Sequence, residues 1–286
     1  MADIFCGFLL VHGTLAPVGC PLDFVLLLVA SSCLYLAGMA FNDVFDRRID
    51  AVERPNRPIP SGRISLRAAC MLGGVLVAAG VGAAAVVGLP SLAVALGLTA
   101  CIFAYDAVLK STPVGPLAMG GCRFLNILLG ASAVESLPAV WQPPQICVAA
   151  ALGVYITGVT WFARNEAGQS RRASLGAAMF VVNAGLAGLI ALVLLYAWDS
   201  QPLPRDRQVV TLILAVSVLS INRRLVAAVS DPAPGTVQSA VRTMILSLIV
   251  LDAAIVLIAT RDPVLAIATV ALLLPAALLG RWVFVT

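Results

Sequence analysis

Nine apolar segments, each about as long as a bilayer is thick, divide this chain: residues 22–42, 66–88, 90–109, 115–134, 144–163, 173–197, 208–228, 237–260 and 263–284. A helix rises about 1.5 Å per residue, so roughly 20 apolar residues cross the hydrocarbon layer. Inside that layer every backbone N–H and C=O must find a partner within the protein, and a helix supplies them all locally. A shorter apolar stretch, 4–15, precedes the nine. The expectation is an all-α, polytopic membrane bundle of about nine transmembrane helices, ten with the short stretch, in a single domain over 1–286. Composition agrees: only 11% of residues are charged and the mean hydropathy is +1.02, against about 25% charged in soluble domains.

The breaks carry turn chemistry, as in Thr112-Pro113-Val114-Gly115-Pro116, Gln142-Pro143-Pro144 and Asp231-Pro232-Ala233-Pro234-Gly235. Lys and Arg placement sets the orientation. With the 43–65 loop cytoplasmic, alternation puts Lys110, Arg164, Arg171, Arg172, Arg223, Arg224, Arg242 and Arg281 inside as well, and only Arg205, Arg207 and Arg261 outside. Trp141 and Trp198 then fall near the outer interface, Trp161 and Trp282 near the inner one. His12 is the only histidine, which excludes catalysis by a histidine pair. Seven cysteines lie in or beside apolar segments without C-x-x-C spacing, so neither a disulfide framework nor a zinc site is expected. The bilayer is the expected partner and nucleic acid is not.

The charge is concentrated in one place. Asn42-Asp43-Val44-Phe45-Asp46-Arg47-Arg48-Ile49-Asp50 closes the first spanning segment, followed by Glu53-Arg54-Pro55-Asn56-Arg57-Pro58-Ile59-Pro60-Ser61-Gly62. On a helix Asn42, Asp46 and Asp50 stand at i, i+4, i+8, and Asp43, Asp46 and Asp50 at i, i+3, i+7. Either set puts three oxygen-bearing side chains on one face, where like charges repel unless a cation lies between them. Hard oxygen ligands suit Mg²⁺, which completes its shell with water and substrate phosphates. The plainer alternative is a solvated acidic loop paired with the local arginines.

N-D-x-x-D-x-x-x-D followed by R-P-x-R-P-I-P-S-G resembles the UbiA-type membrane prenyltransferases. The resemblance implies a UbiA-like bundle with cytoplasmic Asp-rich loops over a central cavity. It also implies Mg²⁺-dependent transfer of a prenyl group from an isoprenyl diphosphate to a small aromatic or lipidic acceptor, in a bacterial cytoplasmic membrane. Breaking the allylic C–O bond puts negative charge on the departing diphosphate, which metal ions and fixed cations stabilise. Asn42, Asp46 and Asp50 are then metal ligands, with Asp43 a further ligand or a group behind them. Arg54, Arg57 and Lys110 are candidates for the diphosphate oxygens, and Tyr105 and Lys110 look like the family's tyrosine and lysine beside the diphosphate. Lys110 reads equally as an interface anchor. Asp46, Asp50, Tyr105 and Lys110 form the catalytic set. Family members carry D-x-x-x-D after the sixth helix, where this chain has Asn165 and Gln169 with Glu166 as the only carboxylate. Amide oxygens add no negative charge, so a second metal there is held more weakly. A non-catalytic UbiA-like protein that binds or helps export a lipidic metabolite is the rival reading. No basic region precedes residue 4, so a signal peptide is not expected; relatives carry a basic lead-in there, which implies a truncated start.

Polar clusters recur at alternate segment ends: Asn42–Asp50, Tyr105–Lys110, Arg164–Gln169 and Asn222–Arg224. Parallel repeats of that kind place a site on the pseudo-symmetry axis, although positive-inside bias gives a similar pattern. Arg123 and Asn126, at i, i+3 inside an apolar segment, both face the bundle interior, since a charge in a membrane helix turns to a cavity or a partner. They read equally as substrate-binding residues or as structural partners of a buried carboxylate such as Asp252. The phrases Thr112–Gly130 and Thr160–Gly168 look like the UbiA branch associated with ebo gene clusters, often called EboC.

Overall fold

Helix ends fall where the turn residues lie. A computed structural model describes residues 1–17, 22–164, 170–195 and 204–274. The order is α1 (Ala2–His12), α2 (Asp23–Glu53), α3 (Leu66–Val87), α4 (Leu89–Ala107), a 3₁₀ turn (Leu109–Ser111), α5 (Gly115–Gly130), α6 (Leu137–Val140), α7 (Pro143–Ala163), α8 (Arg172–Leu195), α9 (Pro204–Ser230), α10 (Pro234–Thr260) and α11 (Pro263–Ala271). Proline stands in the first turn of α4, α5, α7, α10 and α11, where its missing N–H leaves no helical bond unmade. Ser65 caps α3 by accepting from Ala68 N–H at 3.2 Å, and Asp262 caps α11 by accepting from Val264 N–H at 2.8 Å.

Seven helices, α2, α3, α4, α7, α8, α9 and α10, are long and apolar enough to cross a membrane. Their most apolar windows are only 17–50% buried within the bundle. Large apolar side chains such as Val75, Phe180 and Leu219 point outward. Such an exterior suits lipid and not water, and the chain is a multi-pass integral membrane protein.

Three expectations change. Of the nine expected spans, seven are helices of spanning length among the described residues, and the ninth, 263–284, lies partly outside them. The 115–134 segment is helical for only 16 residues, because the chain turns inward at Ser132. Its Oγ lies 2.7 Å from Leu129 O and 2.8 Å from Ser91 Oγ, and Ser91 Oγ donates to Ser132 O at 3.0 Å. The 263–284 segment is helical over Pro263–Ala271; Arg281 and Trp282 lie outside the described residues, as does Trp198. Finally, α2 does not end at residue 42. It runs on to Glu53, so the Asp-rich stretch is the last three turns of a helix and only 54–65 is loop.

The core joins α1, α2, α5, α7, α8, α9 and α10 through Phe8, Leu27, Leu129, Tyr155, Leu186, Leu225 and Met244. Glycine sets the closest approach. A Cβ on Gly120 of α5 would lie 2.1 Å from Thr157 Oγ1 and 2.4 Å from Gly153 O of α7. Polar bonds add specificity: Tyr155 Oη donates to Met244 O at 2.9 Å, and Asn183 of α8 and Asn222 of α9 exchange amide bonds at 2.9 Å in both directions.

Candidate active site at the ends of α2, α4 and α7

At 3.6 residues per turn, Asn42, Asp46, Asp50 and Asp43 succeed one another around α2 within an arc of about 100°. Neighbours on that arc share a cation. Asn42 Oδ1 and Asp46 Oδ1 both accept from Lys110 Nζ, the first at 3.0 Å. Asp43 Oδ1 and Asp50 Oδ2 both accept from Arg57 Nη1, at 2.9 and 3.0 Å. The triples expected from sequence, with Asp46 and Asp50 around one ion, are therefore divided into two pairs. Among the described residues no three His, Cys, Asp or Glu side chains gather as a metal-binding group. Each pair is closed by a cation from another element. The donors nonetheless fit a metal such as Mg²⁺: Asn42 and Asp46 offer hard oxygens converging on one positive centre.

The two cations sit in different surroundings. Arg57 belongs to the 54–65 loop, whose own bonds hold it closed: Ser61 N–H donates to Arg57 O at 3.0 Å and Ile64 N–H to Pro58 O at 3.0 Å. Its partner Asp50 has a side chain only 8% exposed. Lys110 lies in the 3₁₀ turn after α4, with its side chain 22% exposed, and borders a cavity of about 240 Å³. Tyr105, Gly115, Pro116, Thr160, Ala163 and Arg164 complete the lining. Arg164 Nη2 donates to Ser111 O at 3.1 Å, which ties the end of α7 to the same turn. The ends of α2, α4 and α7 thus meet, as the alternating polar clusters predict. The end of α9 does not join them through Asn222, which is engaged by Asn183.

Tyr105 and Lys110 share the cavity, as expected. Arg164, which the sequence offers only as a member of the Arg164–Gln169 cluster, lines the same cavity. Asp106 is a nearly buried carboxylate one turn before Lys110. Arg54 is exposed at the end of α2, where its N–H caps Asp50 O at 2.8 Å. Asn165, Glu166 and Gln169 lie outside the described residues.

Arg123 and Asn126 occupy a separate buried network. Arg123 Nη2 pairs with Asp252 Oδ2 of α10 at 2.9 Å and with Asp3 of α1. Asn126 Nδ2 donates to Asp3 Oδ2 at 2.7 Å and Asn126 Oδ1 accepts from Ser31 Oγ at 2.8 Å. Of the two readings open for these residues, the contacts supply the structural pairing, with Asp3 as a partner that the sequence gives no means of finding.

The sequence profile of the UbiA prenyltransferase family matches residues 4–228. Among curated proteins, the digeranylgeranylglyceryl phosphate synthase of Methanopyrus kandleri is 38% identical over 122 residues, 41% of this chain and 44% of that protein. The chain thus aligns with less than half the length of that relative. Among solved structures, the apo form of a UbiA homologue from Aeropyrum pernix K1 superposes with a TM-score of 0.67 at 20% identity, over 90% of this chain and 97% of that one. A UbiA homologue from Archaeoglobus fulgidus bound to GPP and Mg²⁺ gives 0.59 at 14% identity, over 89% and 94%. At these identities the superpositions establish the fold.

Proposed function

This chain belongs to the UbiA prenyltransferase family, and we propose that it transfers a prenyl group from an isoprenyl diphosphate to a small aromatic or lipidic acceptor within the membrane. The observation that carries the reading is the convergence of Asn42, Asp46 and Lys110 beside the cavity bordered by Tyr105 and Arg164. Cations suited to an anion and oxygens suited to a metal meet there through Lys110. Transfer breaks the bond between prenyl C1 and the diphosphate oxygen and joins C1 to the acceptor's nucleophilic atom. It releases diphosphate and the acceptor's proton.

Asn42 and Asp46 hold Mg²⁺, with Asp43 and Asp50 adding negative charge behind them; when bound, the ion neutralises the departing diphosphate. Lys110 and Arg164 meet the diphosphate oxygens from the cavity wall, and Arg54 and Arg57 approach from the loop side. Tyr105 orients the substrate from α4. Asn165, Glu166 and Gln169, outside the described residues, would supply a second, weaker set of metal ligands. The apolar bundle receives the prenyl tail and keeps water from the developing cation.

The relatives named as synthases of digeranylgeranylglyceryl phosphate support the lipidic side of the acceptor class. The Thr112–Gly130 and Thr160–Gly168 phrases support placement in the EboC-like branch, and the basic-residue bias supports an orientation with the 43–65 stretch on the cytoplasmic side. The whole of 1–286 forms one such domain. A non-catalytic lipid-binding role is favoured by one feature, the amides Asn165 and Gln169 where the family has aspartates. The deciding experiment is release of diphosphate by the purified protein from a panel of prenyl diphosphates and acceptors, with and without Mg²⁺. Binding of prenylated lipid with no turnover of any substrate selects the second role.

A further inference from the structure

We propose that Lys110 is a removable counter-ion, so that the Asn42–Asp46 seat takes a divalent cation only when an anion in the adjoining cavity draws the lysine away. The proposal rests on the metal-binding reading of that seat. Three observations carry it.

The first is that the seat is already occupied. Asn42 Oδ1 and Asp46 Oδ1 point at the same ammonium nitrogen. A divalent cation bound by those oxygens must displace it, because two cations cannot share the space without repulsion. The second is that Lys110 has somewhere to go. It contacts the seat and borders the cavity, whose lining also includes Arg164. A diphosphate there gains two cations, and the flexible four-carbon stem of a lysine lets its charge swing between partners.

The third is the contrast with the other pair. Arg57 holds Asp43 and Asp50 through a planar guanidinium on a closed loop, and the Asp50 side chain is nearly buried. None of its three residues lines the cavity that Lys110 borders. One pair is therefore built to stay closed and the other to open. Metal and diphosphate are coupled through a single side chain of this protein, and by linkage each strengthens binding of the other.

The test reads metal binding, not turnover. Mn²⁺, a spin-active stand-in for Mg²⁺, is titrated into full-length protein in nanodiscs and free ion is followed by electron paramagnetic resonance. Titrations are run with and without geranyl thiolodiphosphate, an unreactive substrate analogue whose own affinity for Mn²⁺ is measured separately and subtracted. Lys110→Met is expected to bind Mn²⁺ alone about five- to tenfold more tightly than wild type, the size of one partly buried ion pair. Lys110→Arg, which keeps the charge, is expected to stay weak. Melting curves confirm that the variants are folded, and Lys110→Gln serves if Lys110→Met is not. Asp46→Ala in the Lys110→Met background is expected to remove the gain, which locates it at this seat. Equal Mn²⁺ affinity in wild type and Lys110→Met would falsify the counter-ion role while leaving the metal site intact. No protein-bound Mn²⁺ in any variant, even with the analogue, overturns both.

Discussion

Asp252 of α10 is fully buried, and its carboxylate meets the Arg123 guanidinium of α5 at 2.9 Å. Asp3 brings α1 to the same guanidinium, and Asn126 links Asp3 to Ser31 of α2. Three helices meet at one cation, and Asn126 joins α2 to them. In a low-dielectric interior, removing one member leaves an uncompensated charge, which is far more costly than the pair is stabilising. Arg123→Leu is therefore expected to destabilise the protein by about 3–5 kcal/mol, read as a large fall in melting temperature in detergent. Replacing Arg123, Asp3 and Asp252 together by leucine should recover much of the loss. A substrate contact predicts the reverse: unchanged melting and a raised KM.

Gly120→Ala tests how α5 is seated on α7. The added methyl has no free space, with Thr157 Oγ1 and Gly153 O within 2.4 Å. Overpacking of this kind costs about 1–3 kcal/mol. Gly74 of α3 meets nothing within 4 Å, so Gly74→Ala should be neutral or slightly stabilising. Thermal melting of the two variants side by side measures the difference; equal melting points would mean that the α5–α7 contact is looser than the described geometry.

What was legible in the sequence followed from local rules. Segment length and hydropathy gave the helices, and proline placed their starts within a residue or two, as at Pro143 and Pro263. The oxygen-bearing face of α2 followed from its period. Its division into pairs did not, since position 46 lies about 40° from both 42 and 50. What remained hidden were partners fixed by tertiary packing. Nothing near Asp3 announces that α1 enters the core beside Arg123. The early end of α5 depends on Ser91, 41 residues from Ser132. The bond from Arg164 to Ser111 O is likewise a matter of how α7 is set beside the Leu109–Ser111 turn.

The reciprocal amide pair between Asn183 and Asn222 sets the register of α8 on α9. In lipid each amide lost leaves its partner's donor and acceptor bare, yet measured couplings between such groups average only about 0.6 kcal/mol. Asn183→Leu and Asn222→Leu are each expected to lower the melting temperature, and the double variant to lose less than their sum. Strict additivity in that double-mutant cycle would sink the pairing.

Orientation is tested at Ser61, exposed in the 54–65 loop. The native cysteines are first replaced and Ser61→Cys introduced. A membrane-impermeant maleimide should label it in inside-out vesicles and not in sealed cells. Ready labelling from outside would invert the topology and move the candidate site to the opposite face.

The sharpest distinction is between two aspartates on the same helix end. Asp50 is nearly buried and, with Asp43, anchors Arg57 and hence the 54–65 loop to α2. Asp46 touches no loop residue among the described contacts and meets Lys110 beside the cavity. Asp50→Ala removes a charge-assisted bond of about 1.5–3 kcal/mol and leaves Arg57 with the more exposed Asp43. The loop should then open and release Arg63 from its bonds to Ser61 and Asn56, so trypsin should cut faster after Arg63 in inside-out vesicles; the prolines after Arg54 and Arg57 protect those two bonds. Asp46→Ala should leave the trypsin pattern and the melting temperature unchanged while abolishing Mg²⁺-dependent binding of prenyl diphosphate. The paired measurements are cleavage rate and substrate binding for each variant. If Asp46→Ala also opened the loop, the two pairs would be one network, and the separation between a closed clamp and a removable counter-ion would not hold.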